Sequence, residues 1–570
     1  MDWRWVRIVL SVATLMTMAQ GHSSAQRLTD TLNFRNPVDI PMRLSGNFGE
    51  FRTNHFHTGI DVKTDRKTGF PVYAVADGWV RRVKVSPFGY GKALYLDHPS
   101  GHTSVYAHLE NYNDTISAFL KLAQKTLGRN EVDIFPNKNR LPVKRGDFIG
   151  FTGNSGGSGG PHLHFEIRTS DTEKPLNPLL MGFDIKDDVP PNINGVLVES
   201  FNPDTLRGRV MDTRRYYTRA ASGRYSVKET VKVNALSGLS IHTLDYLSNS
   251  RNSCGVYSID LSLDGEQIYS MKLDSLDFST SRYINAHKSY ELFLKEKSSF
   301  HRCFVLPNNK LEIYTTTNSG LISLADNEVH QVNVVITDAA GNQSFLDFKI
   351  QKSEKDLPIS KRKKEAHQYV KFDEANSIST EECSLRIPPF RLINDELVSL
   401  EIYTKKNGDY SKYFQVGDRS IPLQNKCILS LKLNDSLDID TTKFFITRYN
   451  PVNGRYYTQG GAYKDGWIRT RVKEFGIYTV SYDAVEPVVK WNAADLNQSK
   501  TIRIRVTDDN SGIDEYSLEI DGTWVPLYYD YKRARLEGRL EDELKITSES
   551  QYRLKVSDAS ENTYLEEGTF

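Results

Sequence analysis

Cysteine is scarce in this chain, with 4 among 570 residues, and the sequence carries almost no net charge. Its 73 basic and 72 acidic side chains leave a formal charge of +1, which provides no global field to attract nucleic acid or an anionic membrane. Beyond the N-terminal segment, no apolar run approaches the roughly 20 residues that a membrane helix needs. These absences argue against a nucleic-acid-binding protein and against a transmembrane protein.

The composition is that of a large globular protein. Hydrophobic residues make up 38% of the chain and charged residues 25%, which is enough apolar material to bury several cores. Wholesale disorder is therefore excluded. A chain of 570 residues corresponds to about three or four domains of ordinary size.

The N-terminus predicts export. Arg4 and Arg7 flank the start of an apolar run over residues 8–19, and small residues follow up to Ala25. This order is typical of a secretory signal peptide, here residues 1–25, and the apolar run is too short to span a bilayer. We expect cleavage near Ala25 and an exported protein, with a periplasmic location preferred over a secreted or cell-surface one. An uncleaved N-terminal anchor is the alternative.

Short alternating segments rich in Val, Ile, Thr and Tyr fill the chain from about residue 190 onward. Two similar stretches, VHQVNVVITDAAGNQS from Val329 and QYRLKVSDASENT from Gln551, look like the closing strand and turn of two related units. Pro-containing stretches that begin at Asp187 and Asp483 would be the entry linkers of these units. We therefore predict a mainly β protein with about three C-terminal β-sandwich domains, two of them immunoglobulin-like.

The predicted boundaries follow changes in composition. An N-terminal domain is predicted over 26–186, and a linker over 353–366 contains the charge run from Lys361 to Lys364. The β-sandwich domains are predicted over 187–352, 367–483 and 484–570, of which the first and last are the immunoglobulin-like ones.

The four cysteines fall in pairs within these ranges. Cys254 and Cys303 lie in the first β-sandwich domain, and Cys383 and Cys427 lie in the second. In an exported protein, two disulfides within domains are the simplest of the three possible pairings. Separation in sequence does not show whether the sulfur atoms can meet, so the pairing stays open.

Candidate chemistry is concentrated between residues 45 and 170. In the segment GPHLHFEIR, from Gly160 to Arg168, apolar and ionisable residues alternate, so a strand would place the two kinds on opposite faces. His162 and His164 would then stand about 6.6 Å apart, close enough to serve one cavity. One imidazole could hold a metal while the other faces a substrate or a bound water. A solvated polar strand face is the alternative.

The segment HFHTGID supplies further candidate ligands. His57 and Asp61 are four residues apart, which corresponds to about 13 Å on a straight strand, too far to share one ion. The chain must therefore bend between them, and Gly59 supplies the conformational freedom. His55 is a rival ligand, but it lacks an Asp at the same offset.

The segment YAHLE carries the third pattern. Alternation along the predicted strand from His102 to His108 places Ser104, Tyr106 and His108 on a common face. A lone strand histidine is usually structural or solvated. His108 becomes a candidate only because HFHTGID and GPHLHFEIR occur in the same region of the chain.

Together, three of these side chains would offer nitrogen, oxygen and nitrogen ligands to one metal ion. They are His57, Asp61 and His164. Three protein ligands leave a fourth tetrahedral position for water, as in catalytic zinc sites, and zinc can lower the pKa of that water to about 7. His108 and His162 remain to accept a proton or to stabilise an oxyanion. Glu166 could orient a ligand, or it could pair with Arg168 or meet water.

These residues resemble the LytM/lysostaphin-type zinc endopeptidases, which cut peptide cross-links in bacterial cell walls. The likeness covers about Leu44 to Arg168 in four blocks that keep the family's order: SGNFGEFRTNHFHTGID, PVYAVADGWVRRV, GYGKALYLDHPSGHTSVYAHL and VKRGDFIGFTGNSGGSGGPHLHFEIR. The resemblance implies a compact antiparallel β domain with an open groove. It also implies one Zn²⁺ per chain and assigns five site residues, with His57, Asp61 and His164 as the metal ligands and His108 and His162 as the catalytic histidines. All five positions are filled, which argues against the degenerate relatives that only activate other wall hydrolases.

One segment departs from the family pattern. The family passes quickly from the YAHL strand to the G-D-x-I-G strand, whereas residues 110–140 intervene here. Asp114 as an N-cap, a helical stripe of apolar residues and Gly128 as a stop predict a helical insert over about 113–138. The stripe consists of Ile116, Phe119, Leu120, Ala123 and Leu127. Packing against the domain is its simplest role, and a lid over the groove is the alternative.

The glycines between Gly153 and Gly160 do not form a phosphate-binding loop, because no Gly-Lys-Ser/Thr follows and the next segment is a strand. A flexible groove edge that lets an extended peptide approach is the better interpretation.

The sequence therefore predicts an exported zinc endopeptidase that hydrolyses peptidoglycan stem peptides or cross-bridges. Its three C-terminal β domains would position the enzyme, bind the wall or a protein partner, or cover the groove, and no nucleic-acid partner is expected. Two rivals stay open: a non-catalytic regulator or binding module of other wall hydrolases, and a structural adhesion-like protein.

Overall fold

The computed structural model describes residues 33–201, 207–221, 223–248, 250–353, 367–434, 439–493, 496, 500–540 and 544–570. The predicted signal peptide over 1–25 and nearly all of the predicted linker over 353–366 lie outside the described residues. The described chain is mainly β, which confirms the predicted fold class. None of the helices in these ranges is long and apolar enough to cross a membrane.

The N-terminal unit, residues 33–186, is an antiparallel β structure. Its strands are β1 (Leu44–Gly46), β2 (Ile60–Lys63), β3 (Pro71–Tyr73), β4 (Gly78–Val85), β5 (Lys92–Asp97), β6 (His102–Ala107), β7 (Leu109–Tyr112), β8 (Val132–Ile134), β9 (Pro142–Val143), β10 (Phe148–Thr152), β11 (His162–Thr169) and β12 (Pro175–Leu176). The larger sheet has the order β1-β2-β11-β6-β5-β4-β8, with β12 beside β11 and β9 beside β4, and β3-β10-β7 form a second sheet. Strand β11 lies centrally, and its Leu163, Phe165 and Ile167 are fully buried in the core. Its ionisable side chains therefore occupy the opposite face.

A helix interrupts the strands of this unit. Helix α1 (Asp114–Leu127) begins after Asn113, whose side chain accepts a hydrogen bond from the Ile116 amide at 2.9 Å. The N-cap is thus Asn113 rather than the expected Asp114. Gly128 ends the helix in the left-handed conformation, with φ of 60°. Ile116 and Leu120 are buried against the unit, whereas Leu127, at the last helical position, is exposed.

The second unit, residues 187–353, contains one twelve-stranded sheet among its described residues. Its strands are β13 (Asn192–Phe201), β14 (Val210–Ala221), β15 (Arg224–Val227), β16 (Val231–Val233), β17 (Leu236–Leu244), β18 (Ser258–Leu263), β19 (Glu266–Lys272), β20 (Phe300–Arg302), β21 (Tyr314–Thr316), β22 (Ile322–Ser323), β23 (Val329–Thr337) and β24 (Gln343–Lys352). Two short helices, α2 (Ile284–His287) and α3 (Tyr290–Glu296), lie between β19 and β20. Strand β24 pairs in parallel with β15 and β16, and the other pairings are antiparallel.

The core of the second unit extends into the N-terminal unit. Phe48 and Phe56, which lie between β1 and β2, are fully buried in the same hydrophobic cluster as Ile259, Met271 and other side chains of the second unit. The segment that carries His57 is therefore packed against the following unit and not only against its own sheet.

The third unit, residues 367–483, packs two sheets around one core. Its strands are β25 (His367–Val370), β26 (Asn376–Ser379), β27 (Cys383–Ile387), β28 (Glu396–Ile402), β29 (Phe414–Val416), β30 (Cys427–Lys432), β31 (Phe444–Tyr449), β32 (Tyr456–Thr458), β33 (Ala462–Lys464), β34 (Trp467–Val472) and β35 (Gly476–Tyr482). One sheet has the order β25-β28-β29-β35-β31-β32, and the other has the order β26-β27-β30-β34-β33.

The last unit, residues 484–570, packs two four-stranded sheets, β36-β37-β41-β40 and β39-β38-β42-β43, around a core of its own. Its strands are β36 (Val488–Lys490), β37 (Thr501–Thr507), β38 (Ile513–Ile520), β39 (Thr523–Val525), β40 (Leu527–Asp530), β41 (Arg535–Arg539), β42 (Gln551–Asp558) and β43 (Thr563–Thr569). This unit also contacts the N-terminal one: Asn130, just after helix α1, donates to the Tyr516 carbonyl and accepts from the Leu527 amide.

The predicted disulfides are wrong, because all four cysteines are buried and free. Cys383 lies opposite Leu431 where β27 pairs with β30, four positions along the strand from Cys427. Four residues of strand correspond to about 13 Å, whereas a disulfide needs Cα atoms within about 7 Å. Cys254 and Cys303 belong to two different hydrophobic cores.

Candidate metal centre and neighbouring histidines

The candidate site lies on the polar face of strand β11. In the register of the sheet, His164 pairs with Asp61 of β2 on one side and with Ala107 of β6 on the other. Directly opposed residues of antiparallel strands project on the same face, so Asp61 and His164 are brought together by strand pairing alone. His57 joins them from the segment just before β2.

The chain bends between His57 and Asp61, as the spacing requires. Gly59 lies in this bend, but its role is to provide space rather than conformational freedom, because it does not adopt positive φ. A Cβ atom at this position would meet the Phe165 carbonyl oxygen at 2.3 Å. A glycine here lets the bend approach the backbone of β11.

Three donor atoms converge at the centre of the site. His57 Nε2 lies 3.0 Å from Asp61 Oδ1, His164 Nδ1 lies 2.9 Å from the same oxygen, and the two nitrogens are 3.1 Å apart. All three side chains are buried, with residue exposures of 6 to 8%. These are the residues that the sequence predicts as metal ligands.

The hydrogen bonds around the site determine which nitrogen atoms carry protons. His57 Nδ1 lies 2.7 Å from the carbonyl oxygen of Asn47, which can only accept, so the proton of neutral His57 is on Nδ1. His164 Nε2 lies 2.7 Å from the Glu166 carboxylate, which places the proton of neutral His164 on Nε2. Two nitrogen lone pairs and one carboxylate oxygen therefore face a single point. This donor set fits a divalent cation with mixed nitrogen and oxygen ligands, such as Zn²⁺.

The electrostatics of the cluster favour positive charge. Burial by itself raises the pKa of Asp61, but His57 and hydrogen bonds from His162 and His164 hold it well below its usual range. Burial opposes a charge on His164, yet Asp61 and Glu166 raise its pKa to about 9. The two carboxylates would stabilise a metal ion in place of that proton.

Glu166 is the supporting carboxylate of the site and is fully buried. Besides His164, its Oε1 accepts from the Tyr90 hydroxyl at 2.6 Å and from the Thr58 hydroxyl at 2.7 Å. Its Oε2 accepts from Arg168 Nε at 2.6 Å. Burial opposes ionisation of Glu166, but Arg168 and His164 keep its pKa below the usual range. Of the three predicted alternatives, pairing with Arg168 is confirmed and contact with water is not, because Glu166 is fully buried. The hydrogen bond to His164 is the contact through which Glu166 would orient a ligand.

Sequence reasoning missed Tyr90, Thr58 and Asn47, as well as Arg52, whose guanidinium donates to Asp61 Oδ2 at 3.0 Å. No spacing or periodicity connects these side chains with the histidines. Tyr90 and Thr58 act through Glu166, which is far from them in sequence, Asn47 acts through its backbone carbonyl, and Arg52 reaches Asp61 across the bend that contains His57. Only the folded chain identifies these contacts.

His108 and His162 lie beside the three donors. Their rings are 4.8 Å apart, and the His108 ring is 5.9 Å from that of His164. His162 Nε2 lies 3.4 Å from Asp61 Oδ1. Burial, followed by the neighbouring His164 and His162, lowers the pKa of His108 to about 3, so this imidazole is neutral at physiological pH.

The expectation that Ser104, Tyr106 and His108 share one face is wrong. Ser104 and Tyr106 are hydrogen-bonded to each other and point into the core, where Tyr106 stacks edge-on against Phe165. His108 follows the end of β6 with φ of 58°, the left-handed region. This conformation breaks the alternation and turns His108 to the side of His162. His55, the rival ligand, is not part of the converging set.

The glycine-rich segment forms one rim of the site and is held by the last unit. His108 Nδ1 donates to the Ser155 carbonyl at 2.8 Å, and the adjacent Gly156 amide donates to the Tyr528 hydroxyl at 2.9 Å. Lys532 Nζ donates to the carbonyl oxygens of Asn154 and Ser158. Strand β40 and the turn after it thus contact the rim at three positions. The predicted flexibility of this glycine-rich edge stays a prediction.

Comparison with known proteins gives two family matches. Residues 55–125 match the model of peptidase family M23, and residues 367–483 match that of the Zu5-like domain. The DD-carboxypeptidase/endopeptidase Mpg of Neisseria meningitidis serogroup B is 35% identical over 142 residues, which are 24% of this chain and 26% of the relative. The peptidoglycan DD-endopeptidase ShyA of Vibrio cholerae is 28% identical over 162 residues, 27% of this chain and 31% of the relative.

Among solved structures, a zinc containing peptidase from Vibrio cholerae is 28% identical with a TM-score of 0.20, over 28% of this chain and 41% of that one. The matches to the two curated relatives span only about a quarter to a third of the relatives' length. The family M23 match over residues 55–125 includes His57, Asp61 and His108. In its N-terminal unit, this chain carries a peptidase family M23 domain of the LytM/lysostaphin type.

Proposed function

We propose that this protein is a zinc-dependent endopeptidase that hydrolyses peptide bonds in peptidoglycan stem peptides or cross-bridges. The family match and the names of the similar relatives support a peptidase acting on peptidoglycan. The observation that carries the proposal is the convergence of His57 Nε2, Asp61 Oδ1 and His164 Nδ1 within about 3 Å of one another.

His57, Asp61 and His164 would hold one Zn²⁺ per chain, which supplies a Lewis acid and lowers the pKa of a bound water. His108 donates through Nδ1 to Ser155, so its Nε2 has a free lone pair that can accept the proton of the attacking water. His162 is held through Nδ1 by the Gly160 carbonyl at 2.8 Å, and its Nε2 lies 3.4 Å from Asp61 Oδ1. From this position Nε2 would serve the second proton transfer or the developing oxyanion. Burial, with His164 and His162 nearby, lowers the pKa of His108, so its imidazole is neutral before the reaction.

We further propose that the protein acts after export, in the periplasm, and that the three β units position it on the cell wall or on a protein partner. The last unit would also support the site directly. Its Tyr528 and Lys532 contact the glycine-rich rim, and the Ser155 carbonyl of that rim accepts the hydrogen bond from His108.

The test is digestion of isolated sacculi by the purified full chain. We expect soluble peptides to be released, and mass spectrometry of the products identifies the bond that is cut. EDTA and His164→Ala abolish release together with the bound zinc. His108→Ala and His162→Ala abolish release while zinc stays bound, because these side chains are not among the three ligands.

No release by a zinc-loaded wild-type protein contradicts the proposal. Full biological function of a His164→Ala variant would instead identify a non-catalytic regulator of other wall hydrolases.

A further inference from the structure

Two triads of aspartates lie outside the histidine cluster, at the entrances of the second and last units. Each triad brings three carboxylate oxygens within 4.8 Å of one another. The entrance triad of the second unit is Asp187, Asp245 and Asp338, and that of the last unit is Asp483, Asp508 and Asp558. The proposed peptidase activity uses none of these side chains.

The first triad contains a buried carboxylate oxygen with nothing to bind. Asp245 is 2% exposed, and its Oδ1 has no hydrogen-bond partner. Asp338 is equally buried. Among the described residues, no Lys, Arg or His forms an ion pair with any member of this triad. A buried carboxylate oxygen without a partner is costly, and so is the approach of three carboxylates without a counter-charge. A cation at the centre of the triad would relieve both costs.

The side chains around the first triad hold it in place. Asp338 Oδ1 accepts from the backbone amides of Ala340 and Asn342, both at 2.9 Å. Asn342 Nδ2 then reaches back to Asp338 Oδ2 at 2.8 Å and across to the Asp187 carbonyl at 3.3 Å. Asn342, at the end of the turn after β23, thus connects the entry linker at Asp187 to the sheet.

The last unit repeats this arrangement. Asp558 Oδ1 accepts from the Ser560 and Asn562 amides, and Asn562 Nδ2 bonds to Asp558 Oδ2 and to the Asp483 carbonyl. It also contains a buried polar atom without a partner: the hydroxyl of Ser511, whose amide donates to Asp483 Oδ2 at 3.1 Å. In both units, two backbone amides hold the aspartate that follows or ends the closing strand, and an asparagine side chain connects that aspartate to the linker aspartate.

We propose that each triad binds one Ca²⁺ ion. The available ligands are oxygen atoms only, which favours a hard cation and excludes the nitrogen and sulfur environment typical of zinc. Three carboxylates supply negative charge for one divalent ion, and the open coordination positions suit the six to eight oxygen ligands of Ca²⁺, completed by water.

A cation at either triad would stiffen a joint between units. Asp187 lies between β12 and β13, and Asp483 lies between β35 and β36, so each triad connects an entry linker to the sheets that follow. Binding would thereby fix the orientation of the second unit against the N-terminal unit, and of the last unit against the third. The second triad would also steady Tyr528 against the rim of the histidine cluster.

The test uses the full chain after removal of metal ions with EGTA, removal of the chelator, and reloading with one equivalent of Zn²⁺. Calorimetric titration with CaCl₂ is expected to give two equivalents per chain, and the thermal unfolding midpoint is expected to rise with Ca²⁺. Asp245→Asn should remove one equivalent, Asp508→Asn the other, and the double variant both. Asp274→Asn, an exposed carboxylate of the second unit outside the triads, is the matched control and should keep two equivalents.

Stability without Ca²⁺ separates a binding site from a purely structural cluster. Asp245→Asn removes one of three like charges, so the Ca²⁺-free variant should unfold at the same or a higher temperature than the Ca²⁺-free wild type. A lower midpoint with and without Ca²⁺ would mean that Asp245 is structural and would overturn the proposal. The titration of the wild-type protein gives a second check that needs no variant. If the wild type binds no Ca²⁺, or binds Mg²⁺ in preference to Ca²⁺, the proposal is overturned. Zinc content, measured in parallel, keeps this result independent of the proposed peptidase activity.

Discussion

His57 donates a hydrogen bond from Nδ1 to the backbone carbonyl of Asn47, at 2.7 Å. The side chain of Asn47 simultaneously bonds to the carbonyl and the amide of Gly255, at 2.7 and 2.8 Å. One asparagine therefore orients a candidate metal ligand and attaches its segment to the second unit. The second unit is part of the support of the site, which explains why Phe48 and Phe56 are buried in its core.

Replacement of Asn47 by Ala should weaken both the interface and the site. The variant leaves the Gly255 amide and carbonyl without partners, which costs about 1–3 kcal/mol of unfolding free energy, and zinc affinity should fall as the Asn47 carbonyl loses its fixed position. Urea unfolding and competition with a zinc chelator measure the two effects. Asn434→Ala, which removes one exposed hydrogen bond in the third unit, serves as the control and should change neither. Unchanged stability of Asn47→Ala would contradict the bridging role.

His57 and His55 provide a matched pair for testing the ligand assignment. Zinc content measured by elemental analysis should fall from one per chain to near zero in His57→Ala. It should stay at one in His55→Ala, because His55 is not among the three converging donors. Loss of zinc in both variants would point to a general disturbance of the loop, and circular dichroism checks that the fold persists.

Glu166→Gln should reduce zinc affinity by about 10- to 100-fold, because the partner that orients His164 loses its charge. The amide also leaves Arg168 without its buried counter-charge. The control is Glu173→Gln, since Glu173 also approaches Arg168, at 3.5 Å, but does not contact His164. Equal zinc affinities of the two variants would show that Glu166 does not act through His164.

Tyr528→Phe tests the support that the last unit gives to the rim. The variant removes the acceptor for the Gly156 amide, next to the carbonyl that holds His108, and kcat should fall by about two- to tenfold, the effect of one hydrogen bond. KM should change little. Tyr531→Phe keeps the ring contact with Phe88 and should retain full activity. A normal kcat in Tyr528→Phe would remove the last unit from the catalytic support.

Lys288 should make stability depend on pH. It is fully buried and donates to the carbonyls of Arg52 and Thr53, and burial, with Lys297 and Arg282 nearby, lowers its pKa to about 7. The unfolded chain has the ordinary lysine value near 10.4, so between about pH 7 and 10.4 the unfolded state binds more protons. Stability from this group therefore rises with pH in that window, by at most about 1.4 kcal/mol per pH unit.

Urea unfolding at several pH values measures this slope. Lys288→Met has no proton to release and should lose this contribution, so its stability should rise less steeply than that of the wild type from pH 7 to 10. Identical pH profiles of the two proteins would contradict the low pKa.

The local chemistry of the site could be predicted because strand geometry is periodic. Alternation in GPHLHFEIR is enough to place Phe165 and His164 on opposite faces of the strand, and the structure shows them on opposite faces. The same rule fails at His108, where a positive φ breaks the alternation. It also cannot show which ring nitrogen is free, because the Asn47 carbonyl and the Glu166 carboxylate decide that from other parts of the fold.

By itself, the sequence determined the mainly β class and the residue types of the candidate site, since both follow from side-chain order along single strands. The tertiary structure alone decided that the second unit supports His57, that the last unit holds the rim beside His108, and that the cysteines stay apart. The first two relationships arise where segments hundreds of residues apart pack together. Their geometry depends on strand register and unit contacts, which no local pattern encodes.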